Sequence, residues 1–150
     1  MHLTKALTTA LAAFLPLASA AAVVKKADET WSLNKVTRKC VQDNSACTWN
    51  FEIDNGSGIK TPCEHTTKSQ AGRPASQSHG GPTFCGVYRL ESSWDGTHGV
   101  DNAFSVIGVL DQSRMVIGYF GYQDAEVVDG RVVIPNHVSV IKPFSQKAIF

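Results

Sequence analysis

Cys47-Thr48-Trp49-Asn50-Phe51-Glu52-Ile53-Asp54 alternates apolar and polar side chains from end to end. An extended chain points successive side chains to opposite faces, so Cys47, Trp49, Phe51 and Ile53 share one face. Thr48, Asn50, Glu52 and Asp54 share the other. One face on a core and one in water is the pattern of an antiparallel sheet strand.

Outward from this stretch, strand-like alternation recurs with turn signals between the segments. Residues 31–41 form a first candidate strand, with Trp31, Leu33, Val36, Thr37 and Val41. Residues 84–91 form another, and a turn-rich loop over 92–102 follows. Residues 103–110 and 115–122 flank a tight 111–114 turn and predict a hairpin. Residues 126–128 and 131–134 flank Asp129-Gly130, a strong hairpin signal. Residues 137–142 make the last strand before Pro143. The nearly continuous apolar runs at 106–110 and 115–117 predict central strands buried on both faces. Residues 55–83 break the pattern, with five glycines (Gly56, Gly58, Gly72, Gly80, Gly81), Pro62, Pro74 and Pro82, and Ile59 as the main apolar residue. They read as one long polar loop, either disordered or functional. With about eight strands and no helix, the chain reads as a single all-β domain, either an antiparallel barrel or a two-sheet sandwich.

The N-terminus reads differently. MHLTKALTTALAAFLPLASA carries Lys5, an apolar run over 6–17 and the small-x-small site Ala18-Ser19-Ala20. This predicts a signal peptide over residues 1–20 and a secreted domain over 21–150. Cleavage after Ala22 fits nearly as well, and Lys25-Lys26 is either a dibasic processing site or an exposed tail. The apolar run is shorter than the roughly 20 residues a membrane helix needs, so no transmembrane anchor is expected. Charged residues make up 18% of the 150-residue chain, and the formal net charge is +1. Lys5 leaves with the peptide, and the neutral remainder excludes electrostatic capture of nucleic acid or membranes.

Cys40, Cys47, Cys63 and Cys85 all lie in the mature part. An even number in an exported chain predicts two disulfides. A two-residue turn at Asp43-Asn44 sets Cys40 opposite Cys47, which favours Cys40–Cys47 with Cys63–Cys85. Cys40–Cys85 with Cys47–Cys63 is the next alternative. Two bridges are few for a chain of this length, so the apolar core must carry much of the stability. Cys63-Glu64-His65, with His79 and Cys85, has a metal-ligand look, but its spacing matches no zinc pattern. No metal or cofactor is expected.

Catalytic candidates are sparse. Asp95, His98 and Asp101 cluster in one loop, where a carboxylate would orient the imidazole beside Ser92 or Ser93. The same residues are ordinary turn formers, Asp95-Gly96 above all. Glu52, Arg89 and Glu91, with His137, suggest a ribonuclease-like face, whereas charged strand residues usually form only a solvated one. Trp94, Tyr119, Phe120 and Tyr122 are candidate contact aromatics. Trp94, on a loop, and Tyr122 are the preferred pair. Alternation requires some of these rings to be buried. Asn55-Gly56-Ser57 is a glycosylation sequon at a strand end.

The order of features is more telling than any single motif. After the signal peptide come Cys40-Val41-Gln42-Asp43-Asn44-Ser45-Ala46-Cys47-Thr48-Trp49-Asn50-Phe51, the Gly/Pro-rich segment and Phe84-Cys85-Gly86-Val87-Tyr88-Arg89. Across nearly its whole length the chain resembles the small secreted hypersensitive-response-inducing proteins of plant-pathogenic fungi, such as the rice-blast fungus. The resemblance implies an elicitor that reaches the host apoplast, meets a plant surface protein or polysaccharide, and provokes defence and local cell death. It supplies no catalytic residues. The competing expectations are a secreted hydrolase, acting on RNA or on glycans, and a non-catalytic cell-wall or carbohydrate-binding protein.

Overall fold

The computed structural model describes residues 26–145, so the expected signal peptide lies outside the described residues. Nine strands follow one another: β1 (Thr30–Cys40), β2 (Ala46–Asp54), β3 (Lys60–Lys68), β4 (Gly80–Cys85), β5 (Tyr88–Asp95), β6 (Phe104–Asp111), β7 (Val116–Gln123), β8 (His137–Val140) and β9 (Lys142–Pro143). They form one antiparallel sheet in the order β8-β1-β2-β3-β4-β5-β6-β7-β9. The sheet curls until β7 meets β8, so of the two expected architectures the barrel is the one observed. Among the described residues, no helix is long and apolar enough to cross a membrane.

The alternation in β2 appears as read: Cys47, Trp49, Phe51 and Ile53 are buried and their neighbours are not. Trp49, Phe51 and Ile53 join Trp31, Leu33, Val36, Tyr88, Leu90, Ile107, Val109, Phe120 and Tyr122 in one core filling the barrel. Burying each large apolar side chain contributes about 1.5–3 kcal/mol. In β1 the inward set changes phase, from Trp31 and Leu33 to Val36 and Arg38. A bulge between Asn34 and Thr37, with Lys35 at φ 55, absorbs the extra residue and returns the strand to register with β2.

Both bridges of the favoured pairing are present. Cys40 and Cys47 face each other across the β1–β2 ladder with Cα atoms 3.9 Å apart. In place of the expected two-residue turn at Asp43-Asn44, Gln42–Ser45 form a four-residue loop, in which Asn44 N–H donates to the Val41 carbonyl and Asn44 takes φ 55. Cys63 joins Cys85 across β3 and β4, Cα to Cα 5.6 Å.

Four further readings need correction. Residues 55–83 are not one long loop, because they contain β3 and the start of β4. The inward residues of β3 are Cys63, His65 and Thr67, which are buried without being large apolar groups, so hydropathy conceals the strand. Residues 84–91 are not one strand, because the chain reverses at Gly86-Val87 and pairs Cys85 with Tyr88. Gly86 takes φ 60 there, a conformation glycine adopts without steric cost.

Residues 126–134 turn at Asp129-Gly130 as expected but form no hairpin. They make 3₁₀ turns, Asp124–Glu126 and Val128–Gly130. Val127 and Val133 on either side turn into the core, and Val133 N–H donates to the Val36 carbonyl of β1 rather than to residues 126–128. The runs at 106–110 and 115–117 are likewise not buried on both faces. Val106, Gly108 and Ile117 point outward and remain half-exposed, because no second layer covers them.

Candidate functional site

The sequence-proposed groups do not converge. Asp95 accepts hydrogen bonds from Thr97, which hold its carboxyl below the usual carboxylate range and occupy it in a turn. His98 is exposed and contributes its carbonyl to Asn102, so no Asp95–His98–Ser arrangement forms. Glu91 pairs with Arg89, whereas Glu52 pairs with Lys35, 3.1 Å away. His137 sits with Glu126 at 3.0 Å, apart from all three groups of the ribonuclease-like face.

The expected contact aromatics also need correction. Trp94 lies on β5 rather than in a loop, is half-buried, and donates its indole N–H to Asp124 at 2.9 Å. Asp124 in turn accepts from the buried Arg38 at 3.0 Å, so the ring is pinned into structure. Tyr122 is in the core at 1% exposure, stacked on His137 with centroids 4.5 Å apart. Burial pushes its phenol pKa upward, and among the described residues its hydroxyl has no hydrogen-bond partner. Alternation along β7 explains both rings: Phe120 and Tyr122 point inward, so Tyr119 points outward. Asn55, the sequon residue, donates its Nδ2 to the Tyr88 hydroxyl at 3.0 Å.

One Ser–His contact does exist, and spacing gave no hint of it. His65 is fully buried, with Nε2 2.7 Å from Ser92 Oγ and Nδ1 2.8 Å from Thr83 Oγ1. Burial lowers its pKa and keeps the ring neutral. Hydroxyls donate or accept as required, so they satisfy a neutral imidazole fully. With Thr83 in place of an orienting carboxylate and no exposure to solvent, the trio is a packed polar link joining β3 to β4 and β5. Cys63 and Cys85 are bonded to each other and His65 is turned to hydroxyls, so the Cys-x-His motif does not assemble.

The accessible chemistry lies on the outer face of β5–β7. A shallow groove of about 450 Å³ is lined there by Arg89, Glu91, Ser93, Gly108, Ile117 and Tyr119, among others. The register builds it: Glu91 stands opposite Gly108, and Gly108 opposite Tyr119. The Tyr119 ring lies close over Gly108, within van der Waals reach of that position at 3.5 Å. Tyr119 is 56% exposed, and one strand further out Phe84, the register partner of Arg89, is 62% exposed.

The fold and this site together define a small, filled, disulfide-stitched β-barrel whose exposed aromatic and paired charged groups lie on its outer wall. Comparison with known proteins places it more narrowly. The chain belongs to the Effector TSP1 family, whose model matches residues 32–148. A relative from Hypocrea virens (strain Gv29-8 / FGSC 10586), itself named Effector TSP1, is 39% identical over 106 residues, which is 71% of this chain and 71% of the relative. The protein is thus a fungal effector, in keeping with the resemblance carried by its cysteine segments.

Proposed function

We propose that the protein is exported, after loss of residues 1–20, into the host apoplast, where it binds a plant surface component and triggers defence and localised cell death. Membership of the Effector TSP1 family across residues 32–148 carries this reading. Two disulfides support it, because such bonds persist in oxidising extracellular surroundings. The outer groove of β5–β7, with Tyr119 and the Arg89–Glu91 pair, is the surface best suited to recognition.

Infiltration of the purified protein, residues 21–150, into leaves is the direct test. Cell death and induction of defence markers at micromolar dose are expected, and a heat-unfolded, reduced sample should be inert. Leaves that respond no more than to buffer would end the proposal.

A further inference from the structure

We infer that the outer face of β4–β7 is a tray for an extended, uncharged polysaccharide chain, seated on the rings of Tyr119 and Phe84 and hydrogen-bonded by Arg89 and Glu91. The inference deepens the reading above, that the protein acts by recognising a host surface component.

Three observations carry it. The two rings are the large aromatic side chains left exposed among the described residues, and both stand on this one face. They lie on β4 and β7, three strand spacings apart, which is roughly 14 Å across the sheet. That span suits a chain laid across the strands better than a single small molecule. Their flat faces offer apolar contact to the C–H faces of sugar rings, and Tyr119 lies beside Gly108 and Glu91 in the register.

The second observation is charge. Between the rings, the Arg89 guanidinium donates to the Glu91 carboxylate, so the polar centre of the tray is already neutralised. An anionic ligand would have to displace Glu91 and would meet its repulsion. A neutral ligand does not. The third is the chemistry of the polar groups. Arg89 supplies donors only and Glu91 acceptors only, with Ser93 able to do both. Sugar hydroxyls likewise donate and accept, so each one that settles between the pair finds both partners. A groove of about 450 Å³ lies within the range of small-ligand sites, roughly 300–1,000 Å³.

The test is calorimetric or NMR titration of the purified protein with cellohexaose and laminarihexaose, with hexagalacturonate as the charged counterpart. Binding of at least one neutral hexamer is expected, together with chemical-shift changes centred on Tyr119, Arg89 and Glu91. Tyr119→Ala should weaken that binding by about tenfold through loss of a stacking surface. Glu91→Gln should weaken it too while leaving the fold intact, as both side chains project into solvent. Absence of binding by either neutral hexamer at millimolar concentration would overturn the tray. So would equal binding by hexagalacturonate, or unchanged affinity in both variants. Leaf infiltration reads out separately: a protein that elicits but binds no hexamer retires only the tray, and one that binds but does not elicit retires only the proposed function.

Discussion

The barrel has two places where its hydrogen-bonded ladder gives out, and they are closed by different means. Between β3 and β4 the ladder shrinks to the single pair Thr67–Gly80. A disulfide, Cys63–Cys85, and the buried His65, bonded to Thr83 and Ser92, hold the strands together there. Gly80 is required at the crossing, because a Cβ would stand 2.7 Å from Thr67 Cγ2 and 3.0 Å from His65 Nε2. Between β7 and β8 there is no ladder, and side chains from β8 take over the backbone groups of β7. Tyr119 N–H donates to Ser139 Oγ at 3.0 Å, and His137 Nδ1 donates to the Gly121 carbonyl at 2.7 Å. His137 Nε2 faces Glu126, and its ring stacks on Tyr122.

Each closure depends on a histidine, but the surroundings differ. The partners of His65 are hydroxyls, which complete a neutral ring. Both nitrogens of His137 face acceptors, the Gly121 carbonyl on Nδ1 and the Glu126 carboxylate on Nε2. The first closure is dry and covalent, and the second is partly open to water. A gap closed by a bridge and a buried neutral ring is strong but intolerant of acid, whereas one closed by polar side chains is weaker and individually adjustable.

The largest effect should come from cutting the first closure. Cys63→Ser with Cys85→Ser should lower stability by about 3 kcal/mol, and Cys40→Ser with Cys47→Ser by about 2, because the loop closed is longer in the first case. The sequence separations are 22 and 7. Midpoints of guanidinium unfolding measure both, and a larger loss at Cys40–Cys47 would reverse the ranking.

Acid should act next, through His65. Burial pushes its pKa in the folded protein below the ordinary 6.5, so the unfolded chain binds the proton more readily. Stability is therefore full above pH 6.5 and declines as pH falls below it, by up to about 1.4 kcal/mol per pH unit for one group. Urea unfolding at stepped pH should show this decline in the parent protein and a flatter profile in His65→Gln. Identical profiles would remove His65 from the account.

At the second closure, His137→Phe keeps a ring over Tyr122 but leaves the Gly121 carbonyl and Glu126 without their partner. A cost of about 1–2 kcal/mol is expected, and faster amide exchange should be confined to β7 and β8. The smallest effect has the opposite sign. Tyr122→Phe removes a buried hydroxyl without a partner and should raise stability by about 1 kcal/mol, seen as a higher Tm.

Much of the fold was legible because hydropathy speaks clearly where inward residues are large and apolar. Trp49, Phe51 and Ile53 marked β2, and Cys40 does stand opposite Cys47, although the loop between them turns at Gln42-Asp43 rather than Asp43-Asn44. Legibility failed where inward positions are held by something other than apolar bulk. Cys63, His65 and Thr67 are buried through a disulfide, two hydroxyls and the Ala75 carbonyl, and β3 therefore read as loop. Asp129-Gly130 announced a turn correctly, but Val127 and Val133 entered the core, and Val133 bonds to Val36 of β1 rather than back to the other arm of the turn.

The candidate site was less legible than the fold. Tyr119 was one of four candidate aromatics in the sequence, and only the phase of β7 separated it from Phe120 and Tyr122. Trp94 looked like a loop residue because Asp95-Gly96 follows it, whereas β5 runs through it to Asp95.

What the sequence determined by itself was local: an all-β chain, its main turns, and a disulfide pairing set by one ladder. These depend on alternation and turn chemistry, which act over a few residues. Tertiary structure decided the rest, namely the closure of the sheet into a barrel, the neutral histidine stitched between hydroxyls, and the gathering of Phe84, Arg89, Glu91 and Tyr119 on one wall. Those arrangements depend on registers between strands distant in sequence, and on which buried polar groups find partners, and neither is written in any single segment.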